Sequence, residues 1–133
     1  MSYVAVDVLA DPQLLVGSHT RRAIAETIFE IIEADGVVSA ATLRPALLEA
    51  GVPRDHLDKR MPAMLGNANR KGVLQWAGRV VASGNTHSAN TRRLVKVYHA
   101  PDMLKLLEWV AAYQDAYHTD ARRLERMRTG DAA

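Results

Sequence analysis

Residues 67–99 read NANRKGVLQWAGRVVASGNTHSANTRRLVKVYH, and the fold turns on how this stretch is read. Gly72 stops a helical pattern. Val73-Leu74-Gln75-Trp76 and Arg79-Val80-Val81-Ala82, separated by Ala77-Gly78, form one β-rich run, and Leu94 to His99 forms a second. Two such runs around the polar, glycine-bearing stretch Ser83 to Thr91 predict a β-hairpin with a long tip.

Upstream, the periodicity changes from two to 3.6. Leu57, Met61, Met64, Leu65 and Ala68 share one apolar stripe, which predicts a helix running from the Gly51-Val52-Pro53 turn to Lys71. Its opposite face carries Lys59, Ala63, Gly66 and Arg70, flanked by His56 and Asn67. Pro62 lies inside this helix, where a proline removes a hydrogen bond at a cost of about 3 kcal/mol. Either the helix bends there, or residues 54–60 form a separate short helix. A preceding helix ends at Ala50, capped by Ser39 or Thr42; with Thr42 as cap, Pro45 falls in its first turn. Val37-Val38 is a very short extended stretch. Ile24, Ile28, Ile31 and Ile32 mark a first helix from about Ser18 to Asp35, capped by Ser18 or Thr20 and closed by Gly36. Residues 1–17 alternate at first, are broken by Asp11-Pro12, and read as an N-terminal arm.

Downstream, Pro101-Asp102 opens a long helix to about Arg128, and residues 129–133 read as a fraying tail. Met103, Leu106, Val110, Tyr113, Tyr117, Leu124 and Met127 recur at spacings of three and four, interrupted by Asp120 and widened by Leu107 and Trp109. This stripe reads as an association element for a homodimer; the alternative is that its first half packs on the first helix. Trp76 and Trp109 both read as core residues, since each lies within an apolar run.

The fold class is therefore α+β, mostly α. The chain of 133 residues has room for one compact domain, 18–100, plus the arm and the 101–128 helix. Charge is unevenly spread. Between Arg54 and Lys96 nine basic residues face two acids, a local +7 in a chain whose formal net charge is +2. Such a segment is a candidate anion-facing surface. Zero cysteines exclude disulfides, thiol catalysis and cysteine-ligated zinc, and the five histidines form no metal-ligand pattern. No run approaches the ~18 apolar residues a membrane span needs, so no membrane partner is expected and the chain reads as cytoplasmic. Phosphate-cradling glycine loops, nucleophile elbows and metalloprotease motifs are absent, so neither an enzyme nor a cofactor is expected.

The order helix, short strand, helix, tight turn, helix ending in Asn67-Ala68-Asn69-Arg70-Lys71-Gly72-Val73-Leu74, then a hairpin with a polar tip and Arg92-Arg93, resembles the winged helix-turn-helix family. The tract Gly78 to His99 resembles the wing of small DNA-binding proteins of actinobacteria and their phages. The likeness covers about residues 18–100 and lies in architecture. The segment from Gly51 to Gly72 is about one helical turn longer than is usual for that unit. The resemblance implies that the third helix reads duplex DNA and the hairpin is the wing. Arg54, Lys59, Arg60, Arg70 and Lys71 then supply charge, while His56 and Asn67 address base edges, asparagine by a bidentate pair with adenine. At the wing, Asn85, Thr86, His87, Ser88, Asn90 and Thr91 reach phosphate oxygens, backed by Arg92 and Arg93. A dimer built through Met103, Leu106, Leu107, Val110, Tyr113, Tyr117 and Leu124 would present two reading helices to a palindromic site. The function this implies is a transcriptional regulator or accessory DNA binder. A competing expectation is a winged protein-interaction module that binds or inhibits a host protein without touching DNA.

Overall fold

The computed structural model describes residues 12–83 and 93–128. The described chain is α+β and mostly helical, in the order α1 (Pro12–Asp35), β1 (Val37–Val38), α2 (Ala40–Glu49), α3 (Arg54–Arg70), β2 (Gln75–Ala82), β3 (Leu94–His99) and α4 (Met103–Arg128). The three strands form one antiparallel sheet in the order β1-β3-β2.

The apolar spacings do what their periods require. Ile24, Ile28 and Ile32 of α1, Leu43 and Leu47 of α2, and Leu57, Met61, Met64, Leu65 and Ala68 of α3 meet in one core with Val38, Val73, Leu74, Leu106, Trp109 and Val110. Each large aliphatic side chain removed from water there contributes about 1.5–3 kcal/mol. Ser39 caps α2: its hydroxyl accepts from the Thr42 N–H, and the Thr42 hydroxyl accepts from the Ser39 N–H at 3.0 Å. With Ser39 as cap, Pro45 lies in the second turn and forgoes the bond its N–H would have made to the Ala41 carbonyl.

α3 runs unbroken through Pro62. The proline is exposed, so the Asp58 carbonyl that loses its helical donor lies on the solvent side, and the buried stripe holds both halves to the same core. The helix then closes at Gly72, whose φ of 73° is a left-handed conformation that glycine adopts without strain. The β-rich run is a single strand that begins at Gln75, with Val73 and Leu74 buried ahead of it. Its register slips between Trp76 and Val80, at Gly78, with φ 86°, which marks a bulge.

The first helix corrects the sequence reading. It begins at Pro12, a residue suited to the first helical position, and not at Ser18. Ser18 and Thr20 are buried inside it, well past its first turn, so neither is its cap. Leu15 and Val16 form a second small core with Leu124, against which Tyr117 and Ala121 pack, so α1 and α4 pair antiparallel over most of their length. Between the apolar ends of this seam the contacts are polar. The Ser18 hydroxyl donates to Asp120, which explains the break in the apolar stripe of α4. Gln114 donates to Glu26 at 2.7 Å. Arg22, only 5% exposed, donates to His19 Nδ1 at 3.0 Å and lays its guanidinium 4.1 Å above the Tyr117 ring. That geometry needs a neutral imidazole. Burial first, and the neighbouring Arg22 charge second, lower the His19 pKa to about 4.

Candidate nucleic-acid interface

With one side of α3 committed to the core, the other side is fixed. Lys59, Ala63 and Arg70 are exposed and Gly66 is half-buried, and all four project away from the Leu57–Ala68 stripe. The Arg70 guanidinium folds back along the helix. A Cβ on Gly66 would stand 3.2 Å from the Arg70 Nη1, so the glycine leaves the space in which that side chain lies. Lys71, at the C-cap, is exposed as well.

The flank of α3 turned toward α1 and α4 serves the fold, and Asn67 and Arg60 both lie on it. Asn67 Oδ1 accepts from the Trp109 indole N–H at 3.0 Å. A bidentate contact with adenine needs that oxygen, so Asn67 is a structural residue that satisfies a buried tryptophan. Arg60 is half-buried, donates to the His56 carbonyl at 3.0 Å, and approaches Gly17 of α1. It packs the helix against the domain. His56 and Arg54 are half-buried on the first turns.

On the other flank, α3 and β3 wall an open groove of about 390 Å³. Met61, Pro62 and Leu65 form one wall and Leu94, Lys96 and Tyr98 the other, with Arg44 and Arg93 at the rim. Arg44 is held by an ion pair with Asp58, while Arg93 and Lys96 are exposed. Lys96 and Arg79, which the charge count contained but no motif singled out, are therefore part of the cationic surface around the hairpin. Asn85, Thr86, His87, Ser88, Asn90, Thr91 and Arg92 lie outside the described residues.

The expected association stripe is turned inward. Leu106, Val110 and Leu124 are buried in the chain's own core, and Tyr113 and Tyr117 are half-buried against α1. An apolar stripe buries itself against the nearest complementary one, and α1, extended back to Pro12, offers it. Only Met103 and Leu107 of the expected interface remain exposed. Trp109 is core as expected. Trp76 is not: it lies on the sheet with its ring half in solvent, its indole N–H donating to the Arg79 carbonyl at 3.0 Å.

Among the described residues no cluster of acidic and imidazole groups is placed to hold a metal ion, and no helix is long and apolar enough to cross a membrane. The class that the fold and the site define is a mostly helical α+β chain with a small antiparallel sheet and a cationic face on one helix and its adjoining hairpin. No protein-family model, curated protein or solved structure matches it.

Proposed function

We propose that this chain is a winged helix-turn-helix domain that binds duplex DNA, with α3 as the reading helix and β2–β3 as the wing. One observation carries the reading: α3 continues through Pro62, so Lys59 and Arg70 are exposed on one face, about 16 Å apart along the axis at 1.5 Å per residue. A break at Pro62 would have scattered them. Between these cations on that face lie only Ala63 and Gly66, and the space over Gly66 is taken by the Arg70 guanidinium itself, which puts its charge close to the helix surface. Arg93 and Lys96 add charge from the hairpin on the adjoining side of the groove. The mechanism is occupancy. Phosphate contacts position the domain, a few groove contacts select the site, and the bound protein blocks or recruits other machinery. No chemistry of its own is proposed.

The test is fluorescence anisotropy with labelled random-sequence duplex at several salt concentrations. Binding should weaken steeply as salt rises, and Lys59→Ala with Arg70→Ala should lower the log-log slope by about 0.9 for each phosphate that is no longer neutralised. Absence of binding at low salt would overturn the proposal.

A further inference from the structure

Two apolar patches remain on the surface, and their charges are opposite. The first is one face of the hairpin. The register sets Trp76 opposite Tyr98, Val80 opposite Lys96 and Ala82 opposite Leu94, so Trp76, Val80, Leu94 and Lys96 point to the same side of the sheet. Trp76 is 52% exposed, Val80 44% and Leu94 60%. The indole is held in place by its bond to the Arg79 carbonyl and has the Lys96 ammonium 5.5 Å from its ring centroid. From Lys59 to Pro101 the sequence contains no acidic residue, so the hairpin that carries this patch brings only positive charge to it.

The second patch is the outward face of the first half of α4. Leu106, Trp109, Val110 and Tyr113 turn inward, which leaves Leu104, Leu107, Glu108, Ala111 and Asp115 together on the opposite side. Leu104 is 66% exposed and Leu107 45%, with the carboxylates of Glu108 and Asp115 in solvent beside them. Single exposed leucines are ordinary, whereas a contiguous cluster on each of two elements marks a contact surface.

We infer that these patches are the two halves of one interface between copies of this chain. The outward face of α4 in one copy packs on the hairpin face of another. A helix stripe on a sheet face is the ordinary way such surfaces bury each other. The acids of α4 come opposite Lys96 and Arg93, which favours the pairing of unlike patches over like ones. Both patches are exposed within a single chain, so neither covers the other there. The acidic leucine face would be repelled by phosphate, which selects protein over nucleic acid as its occupant. The hairpin patch shares Lys96 with the groove wall, so association and DNA compete for the hairpin, while Lys59 and Arg70 of α3 belong to the DNA reading alone.

Sedimentation equilibrium of the full chain without DNA tests this, using two surface double variants. The wild type should associate reversibly, weakening with salt. Leu104→Glu with Leu107→Ser, and separately Val80→Ser with Leu94→Ser, should each weaken association at least about tenfold, with helical circular dichroism unchanged. Mixing the two variants should restore a one-to-one complex, since each keeps the patch that the other lacks. Should either double variant fail to fold, Lys96→Glu should weaken association and Glu108→Lys added to it should recover it. A monomeric wild type at all concentrations, or variants that associate like wild type, would overturn the inference. So would failure of mixing, which would indicate contact between like patches. Lys59→Ala with Arg70→Ala should leave association unchanged, so this inference and the DNA reading fail separately.

Discussion

The α1–α4 seam and the α3–hairpin face use the same residue types to opposite ends. In the seam, arginine and histidine are buried and paired: Arg22 contacts His19 and the Tyr117 ring, and Asp120 takes the Ser18 hydroxyl hydrogen. On the α3 face, Lys59 and Arg70 are exposed, with small residues between them. A buried polar group left unmatched costs more than its partner contributes, so the seam pairs its polar residues across the two helices, with Arg22 Nε left without a hydrogen-bond partner. A cation in water costs nothing to leave open and remains available to an anion. The lesson is that an arginine's role is set by which side of its helix the core occupies, since its chemistry is the same in both places.

The strongest way to break the seam alone is Leu124→Asp. Leu124 is fully buried against Leu15 and Val16, and a carboxylate there should cost about 3–5 kcal/mol of stability, read by chemical denaturation, while DNA affinity below the melting range stays unchanged. If affinity falls in parallel, the two regions are not separable. A smaller effect comes from pH. His19 is neutral in the folded chain, with its pKa lowered to about 4, whereas the unfolded chain takes up the proton near 6.5. Its contribution to stability is therefore complete above pH 6.5, falls as the pH drops toward 4 and is lost below it, a change of about 3 kcal/mol. His19→Gln should flatten the denaturation midpoint across that window. The smallest change is Asn67→Ala. Removing the acceptor of the Trp109 indole should cost about 1–3 kcal/mol and leave DNA binding intact; a loss of affinity at full folding would return Asn67 to the reading face.

The sequence made the inner faces legible wherever apolar residues recur without interruption. The stripe of α3, the isoleucines of α1 and the β-rich runs around the polar tip all lie where their spacing puts them, because each element buries one side and its period says which. The first six residues of α1 were hidden. In Pro12–Gly17 the apolar Leu15 and Val16 fall off the isoleucine stripe of the same helix, and the polar residues that follow, Ser18 to Arg22, can be recognised as a seam only once their partners on α4, about a hundred positions away, are known.

The candidate face was legible as charge and only partly as residues. The wheel placed Lys59 and Arg70 on the outer side, where they lie. It could not separate His56, Arg60 and Asn67 from them, since a wheel assigns an angle without saying what stands beside the helix at that angle. α1 and α4 occupy that flank and draw Arg60 and Asn67 inward.

By itself the sequence determined the helices, the hairpin and the concentration of positive charge between them, because periodicity, turn residues and composition are local. Only the tertiary structure decided that α3 survives its proline, that α4 spends its main stripe on α1, and that Trp76 stands in solvent. Each of these depends on which surface arrives opposite a given side chain, and that is fixed by long-range packing.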